Sequence, residues 1–304
     1  VEFSCYYEGA DELSGDYFDY HKIDETHYAV IKCDVSGHGV PASLIMVEVA
    51  SIFQHSFQDW KMENPNQGTN INFVVENIND LLEQRGFNGR FAAFTLALFD
   101  SQNGNCWICN AGDSILNVFD GKKMKKQTLP LPETPAAGMF STELVKLQGG
   151  YPIVHHTLKK GDVLFMYTDG LEESESLGER FGTERIDSII ECVFSGGIYT
   201  LERNDGYTFT FDFSNSNRSA KDAIMALVSI EKIFRLVPLL DSDETNHVKV
   251  DRSIDDFLQL HFKEYGVYCI EKNISETEHT NLWWNTVREE PQSDDLTLFA
   301  IRKK

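Results

Sequence analysis

Positive charge is what this chain most lacks: 27 Lys and Arg stand against 48 Asp and Glu in 304 residues, a net charge of -21. That balance argues against nucleic acid as a partner, because phosphate-backbone binding is carried by Lys and Arg, and against an anionic membrane surface for the same reason. A phosphorylated substrate is also repelled at long range, so a site that accepts one requires a local positive charge, for which a bound divalent cation is the natural source. Cysteine is scarce, six residues at irregular spacing, which makes no disulfide framework and reads as a reducing, cytoplasmic location. Cys106-Trp-Ile-Cys109 has redox or zinc-knuckle spacing, yet no second such pair exists. Residues three apart on a strand point to opposite faces, so structural thiols are expected there. No run approaches the roughly 18 apolar residues of a membrane span, and Val-Glu-Phe-Ser at the start is no signal peptide. The first residue is Val rather than Met, which reads as a piece of a longer chain.

What is present centres on Cys33-Asp-Val-Ser-Gly-His-Gly-Val-Pro41. Tyr28 to Cys33 is β-branched and apolar and predicts a buried strand; Ile45, Val49, Ile52, Phe53 and Phe57 recur at helical spacing behind it. Asp34 therefore stands at a strand end, with two glycines making the turn and Pro41 suiting the first position of a helix. A carboxylate beside a glycine-rich strand-to-helix turn is a place for a metal or a phosphate.

A second helix is expected over Ile71, Val74, Val75, Ile78, Leu81 and Leu82, capped by Asn70. Phe91 to Phe99 reads as a strand buried on both faces, and Asn103-Gly104 and Asp120-Gly121 predict antiparallel hairpins. Residues 129–152 hold four of the eight prolines and read as irregular loop. The strand Asp162 to Tyr167 runs into Thr168-Asp169-Gly170, and a helix is expected from Glu184 to about Val193. Residues 195–250 differ in character. Tyr207, Phe209, Phe211 and Phe213 alternate with polar residues as on a hairpin with one aromatic face. A one-sided helical stripe runs from Ala223 to Val237. Each face needs a cover; they can cover each other in a small lobe or serve as a docking surface.

Six short motifs occur in order: Ser14-Gly-Asp-Tyr-Phe-Asp19, Asp34-Val-Ser-Gly-His-Gly39, Asn110-Ala-Gly112, Gly161-Asp162 with Tyr167-Thr-Asp-Gly170, Phe181-Gly182 with Glu184-Arg185, and Asp294-Asp-Leu-Thr297. In that order they resemble the metal-dependent PPM-type (protein phosphatase 2C-like) serine/threonine phosphatases, in the bacterial branch named after stage II sporulation protein E, which includes activators of stress sigma factors. The resemblance covers about residues 8–193 and 251–302. It implies an α+β fold, a four-layer αββα sandwich of two antiparallel sheets flanked by helices. The phosphatase domain is then 1–194 and 251–304, and 195–250 is an inserted small α+β lobe.

The resemblance further implies hydrolysis of phosphoserine or phosphothreonine by a hydroxide that bridges two Mn²⁺ or Mg²⁺ ions. The residue at the position of Asp34 bridges the ions, those at Asp169 and Asp294 complete one, and the carbonyl at Val35 serves the other, with Asp16 supporting it directly or through water. Hard oxygen ligands of this kind suit Mg²⁺ or Mn²⁺ rather than zinc. His38 is a candidate general acid by residue type, Arg90 a candidate phosphate-binding cation, and Asp19 and Asp295 candidates for partners behind the ligands. Asp113 departs from the histidine common after Ala-Gly in this branch. The expected partners are a bacterial signalling phosphoprotein, such as an anti-sigma-factor antagonist, and an amino-terminal sensor region outside this chain, with a homodimer left open. The competing readings are a catalytically silent relative that recruits a partner through the inserted lobe, and a two-metal phosphoesterase acting on a small molecule or nucleotide.

Overall fold

The structure is a computed structural model and describes residues 1–10, 12–37, 39–58, 60, 70–87, 89–113, 116–240, 248, 250–265 and 286–304. In chain order its elements begin with β1 (Glu2–Glu8), β2 (Tyr17–Lys22), β3 (His27–Val35), α1 (Gly39–Gln58) and α2 (Asn72–Arg85). Then come β4 (Ala92–Asp100), β5 (Asn105–Ala111), β6 (Leu116–Asp120), β7 (Lys125–Thr128), α3 (Thr142–Leu147), β8 (Ile153–Thr157) and β9 (Val163–Tyr167). They are followed by α4 (Asp169–Glu172), β10 (Glu175–Ser176), β11 (Glu179–Arg180), α5 (Gly182–Ser195), β12 (Ile198–Glu202) and β13 (Thr208–Asp212). The last are α6 (Ala220–Phe234), β14 (Leu236–Pro238), α7 (Arg252–His261), β15 (Val287–Glu289) and β16 (Leu296–Arg302). Two compact units result: residues Val1–Thr168 with Asp294–Lys304, and residues Asp169–Ser293.

The first unit is built on two five-stranded antiparallel sheets, ordered β1-β16-β9-β6-β7 and β2-β3-β4-β5-β8. Strand β3 is apolar on both faces because both are covered, as expected of a fully buried strand. Ala29, Ile31, Cys33 and Val35 join Val49 and Phe53 of α1 and Val75 and Ile78 of α2 in one core. Val30 turns the other way and joins Ala97, Ile108, Val118, Met166, Phe299 and Ile301 in a core between the two sheets. The two cysteines of the CxxC run separate as the strand period requires, Cys106 into the inter-sheet core and Cys109 into the helix-side core. Burial pushes both thiols up to about 12, which leaves them unreactive.

Three local expectations are corrected. Ile71, not Asn70, stands at the cap of α2 and offers it no side-chain bond. The proline-rich stretch 129–152 contains α3, whose cap is Ser141. Helix α1, at 20 residues, meets the length and hydropathy needed to cross a membrane, with 33 % of its most apolar window buried. Its inner residues Ala42, Ile45, Val49, Phe53 and Phe57 pack on the sheet, while Val40, Leu44 and Val47 are exposed.

In the second unit the hairpin β12–β13 turns its aromatic face to α7 and the residues after it: Phe211 stacks on Phe262 with centroids 4.8 Å apart, and Phe213 lies 5.5 Å from the His261 ring. Helix α6 differs from its expected one-sided stripe, for thirteen of its 15 residues are buried. A helix apolar all round belongs in a core, and the charges it carries there are paired. Glu231 accepts from Arg235 Nε and from the Ser174 hydroxyl (2.6 Å), Lys232 meets Glu289 at 3.2 Å, and Arg235 Nη1 donates to the Glu290 carbonyl at 2.8 Å.

Candidate active site

The inter-sheet core of the first unit ends in polar rows. On β3 the residues Val30, Lys32 and Asp34 share the inward face, so the strand steps from apolar core to a buried lysine to a half-buried carboxylate. Lys32, Thr95 and Asn110 are register partners across β3, β4 and β5. The Lys32 ammonium lies 2.7 Å from Asp113 Oδ2 and donates to the Tyr167 carbonyl of the facing sheet at 2.9 Å. The Thr95 hydroxyl donates to Asp113 Oδ2 at 2.6 Å, and Asn110 Nδ2 donates to the Asp113 carbonyl at 2.8 Å.

Beyond that row lies Asp16, only 5 % exposed. The hydroxyls of Thr168 and Thr297 donate to its Oδ2 at 2.8 and 2.6 Å. Thr168 directly follows β9 and Thr297 lies in β16; their backbones are joined by the Thr168 N–H donating to the Thr297 carbonyl at 3.0 Å. The loop before Asp16 is held by Asp295, whose carboxylate accepts from the Ala10 N–H (2.9 Å), the Ser14 hydroxyl (2.6 Å) and the Gly15 N–H (2.9 Å). Gly15 is required by close approach: a Cβ there would stand 2.9 Å from the Val35 carbonyl oxygen and 3.2 Å from that of Gly37. The loop carrying Asp16 therefore lies directly on the turn that follows Asp34.

That turn is held from its other side. The Ser36 N–H donates to the Phe91 carbonyl at 2.9 Å, the Phe91 N–H donates to Ser36 Oγ at 3.0 Å, and Arg90 Nη1 donates to the Ser36 carbonyl at 2.7 Å. Gly37, at φ 83°, has the Arg90 guanidinium where a side chain would be. Arg90 thus braces the turn. Asp19 points elsewhere and accepts from the Tyr17 hydroxyl (2.7 Å) and from Gln54 of α1.

Burial holds the Asp16 carboxyl well above its ordinary value of 3.8, and the charge of Asp34 pushes it further up, against the lowering effect of the two threonine hydroxyls. A group whose folded pKa is raised contributes stability below its unfolded pKa and loses it as pH rises through the folded one. In metal-free protein, the melting temperature of Asp16→Asn should therefore gain on the wild type as pH rises from about 4 to about 8, by about 2–4 °C for each kcal/mol relieved. A difference that does not change with pH would contradict the placement of Asp16.

Asp294 is half-buried, and its Oδ1 accepts from the Asp295 N–H at 2.8 Å. Asp169 follows Thr168 by one peptide bond and opens α4 as the first residue of the second unit, its carbonyl accepting from the Glu173 N–H at 2.7 Å. His38 lies outside the described residues. Among the described residues, no three His, Cys, Asp or Glu side chains are gathered as a ready-made metal cage; what the structure brings together is Asp16, Asp34 and the Val35 backbone. A cavity of about 1220 Å³ lies at the opposite end of β3, beside His27, Asp100, Trp107 and Tyr151, away from this edge. Sequence reasoning gave no role to Thr168 and Thr297, although both stand inside motifs it quoted. It also passed over Lys32, whose signal was a lone lysine in an apolar strand two residues before Asp34.

Two packed antiparallel sheets with an acidic edge are the architecture of PP2C-type serine phosphatases. The model of the family described as Stage II sporulation protein E (SpoIIE) matches residues 24–197, more than half of the chain, and the chain belongs to that family. It is 43% identical over 54 residues to phosphoserine phosphatase RsbP of Bacillus subtilis strain 168, a stretch that is 18% of this chain and 13% of RsbP. It is 24% identical over 223 residues to Protein IcfG of Synechocystis sp., 66% of this chain and 34% of IcfG. The matches thus cover about an eighth of one relative and a third of the other. Among solved structures it is similar to the SiaA-PP2C domain of Pseudomonas aeruginosa, with a TM-score of 0.60 at 14% identity, over 99% of this chain and 86% of that one. It is similar also to RsbX in complex with magnesium, with a TM-score of 0.50 at 12% identity, over 98% of this chain and 92% of that one.

Proposed function

We propose that this domain removes phosphate from phosphoserine or phosphothreonine in a signalling phosphoprotein, with Asp16, Asp34, the Val35 carbonyl, Asp169 and Asp294 holding two Mn²⁺ or Mg²⁺ ions. The observation that carries the reading is the burial of Asp16 beside Asp34 with, among the described residues, the neutral Thr168 and Thr297 hydroxyls donating to it. A buried carboxylate beside a second, half-buried one is costly without a cation, and an all-oxygen donor set suits Mg²⁺ or Mn²⁺. Family membership supports the reaction, and the magnesium held by the similar RsbX supports the cation.

Divalent cations at such a site acidify water and neutralise charge on the phosphoryl group. The chain's own contribution is placement. Thr168 and Thr297 hold Asp16 by one oxygen, Asp295 ties down the loop before it, and Arg90 braces the turn that follows Val35. His38 supplies the general acid in this reading, and the phosphoprotein is a small bacterial signalling partner such as an anti-sigma-factor antagonist. Residues 195–250 are then an addition to the family domain, with α6 built into the core of its unit rather than appended to it.

The test is phosphate release from a phosphoserine peptide with Mn²⁺, with Mg²⁺ and with chelator, alongside nucleoside mono- and triphosphates. Metal-dependent release from the peptide in preference to the nucleotides is expected. Absent or metal-independent turnover in folded protein would overturn the reading, and preference for a nucleotide would reassign the substrate.

A further inference from the structure

We infer that Lys32 is a positioning residue for the acidic site: clamped by Asp113, its ammonium holds the Tyr167 carbonyl and so sets where β9 delivers Thr168 to Asp16. The inference rests on the metal reading given above.

A buried ion pair is a poor stabiliser, since desolvation of both charges offsets most of their attraction and an apolar pair of similar size often does as well or better. Lys32 and Asp113, 2 % and 6 % exposed, therefore call for an account other than stability. The third partner provides one. Lys32 belongs to the sheet that carries Asp34, and Tyr167 belongs to the facing sheet. The 2.9 Å bond between them is thus a strut across the sandwich, placed where the apolar inter-sheet core stops.

What the strut holds is specific. Tyr167 is 1 % exposed, so its carbonyl has little access to water, and buried carbonyls are almost always paired. The next residue, Thr168, donates its hydroxyl to Asp16 and its N–H to the Thr297 carbonyl. Without the ammonium the Tyr167 carbonyl loses a charged donor, and any shift it makes rotates the peptide that precedes Thr168. That rotation would disturb the hydroxyl that fixes Asp16. Asp113 orients the strut through its own bonds: the Thr95 hydroxyl donates to its carboxylate and Asn110 to its carbonyl. The carboxylate at 113 thereby gains a physical role.

The experiment separates a strut from mere packing. Mn²⁺ binding, with no substrate present, is titrated by electron paramagnetic resonance for the wild type, Asp113→Asn, Lys32→Met and Lys32→Met/Asp113→Asn, with melting followed in parallel. Lys32→Met alone removes the ammonium beside the buried Asp113 carboxylate and should melt low. The double variant removes both charges and should regain most of the lost melting temperature. Its Mn²⁺ affinity should nevertheless remain roughly 10–100-fold weaker than that of the wild type, the usual effect of losing a residue that orients metal ligands. Asp113→Asn keeps the lysine on the Tyr167 carbonyl and should bind Mn²⁺ more tightly than the double variant. Wild-type Mn²⁺ affinity in the double variant overturns the positioning role. Failure of the wild type itself to bind Mn²⁺ overturns the metal reading beneath it, so the two failures are told apart.

Discussion

Replacing Asp34 by asparagine should lower Mn²⁺-dependent phosphate release from a phosphoserine peptide by about a thousandfold, equivalent to about 4 kcal/mol of transition-state stabilisation. Asparagine keeps the size of the side chain and one oxygen, and removes only the charge that a hard divalent cation seeks. Asp34 also raises the pKa of Asp16 through its charge, so the substitution relieves repulsion in the metal-free fold. Melting without metal should therefore hold or rise while activity collapses. That opposition is the informative part, because a variant that loses activity by unfolding loses both. Asp169→Asn should reduce turnover in the same manner. Rates near those of the wild type in either variant would remove the site assignment.

The second large effect lies within the second unit. Arg235→Met should destabilise the protein by about 3–5 kcal/mol, the range for stranding one partner of a buried ion pair. Glu231, 1 % exposed, would be left in α6 with the Ser174 hydroxyl as its donor, and the Glu290 carbonyl would lose the Arg235 guanidinium. Glu231→Gln/Arg235→Met should recover a good part of that loss, since both charges go together. Urea unfolding of the wild type and the two variants measures it. A loss below about 1 kcal/mol for Arg235→Met, the scale of an exposed pair, would mean that water reaches the cluster.

The same helix shows where a sequence stops being legible. Its apolar residues recur at helical spacing, so a helix could be expected, but Glu231, Lys232 and Arg235 read as the solvated side of it. Nothing local distinguishes a charge facing water from one facing Glu289 or Glu290, which come more than fifty residues later. Strand β3 was more transparent, because a continuous β-branched run ending at Asp-Val-Ser-Gly admits few other conformations. The opposite facing of Cys106 and Cys109 likewise follows from the strand period alone. The gathering of the site belongs to a third category. Each motif was visible singly, but the meeting of Asp16 with Thr168 and Thr297, over separations of 152 and 281 residues, is set by sheet order. Local pattern does not encode sheet order; family resemblance supplied the expectation that Asp16 and Asp34 share a site and gave Thr168 and Thr297 no part in it. Lys32 was missed for the converse reason: its neighbours fixed the strand so firmly that the one cationic side chain in it drew no attention.

The position of β16 has a consequence for how the domain comes into being. This strand lies between β1 and β9 in its sheet, and the segment leading into it supplies Asp294 and Asp295. On a ribosome adding about 5–20 residues per second, roughly 6 to 28 s separate the synthesis of β9 from that of residues 294–302. Throughout that interval β1 and β9 wait as open edges, the most aggregation-prone feature a sheet can present. The nascent unit therefore stays sticky, and lacks Asp294, until β16 slides between two older strands. Catalytic competence would then switch on in a single late event rather than grow with chain length.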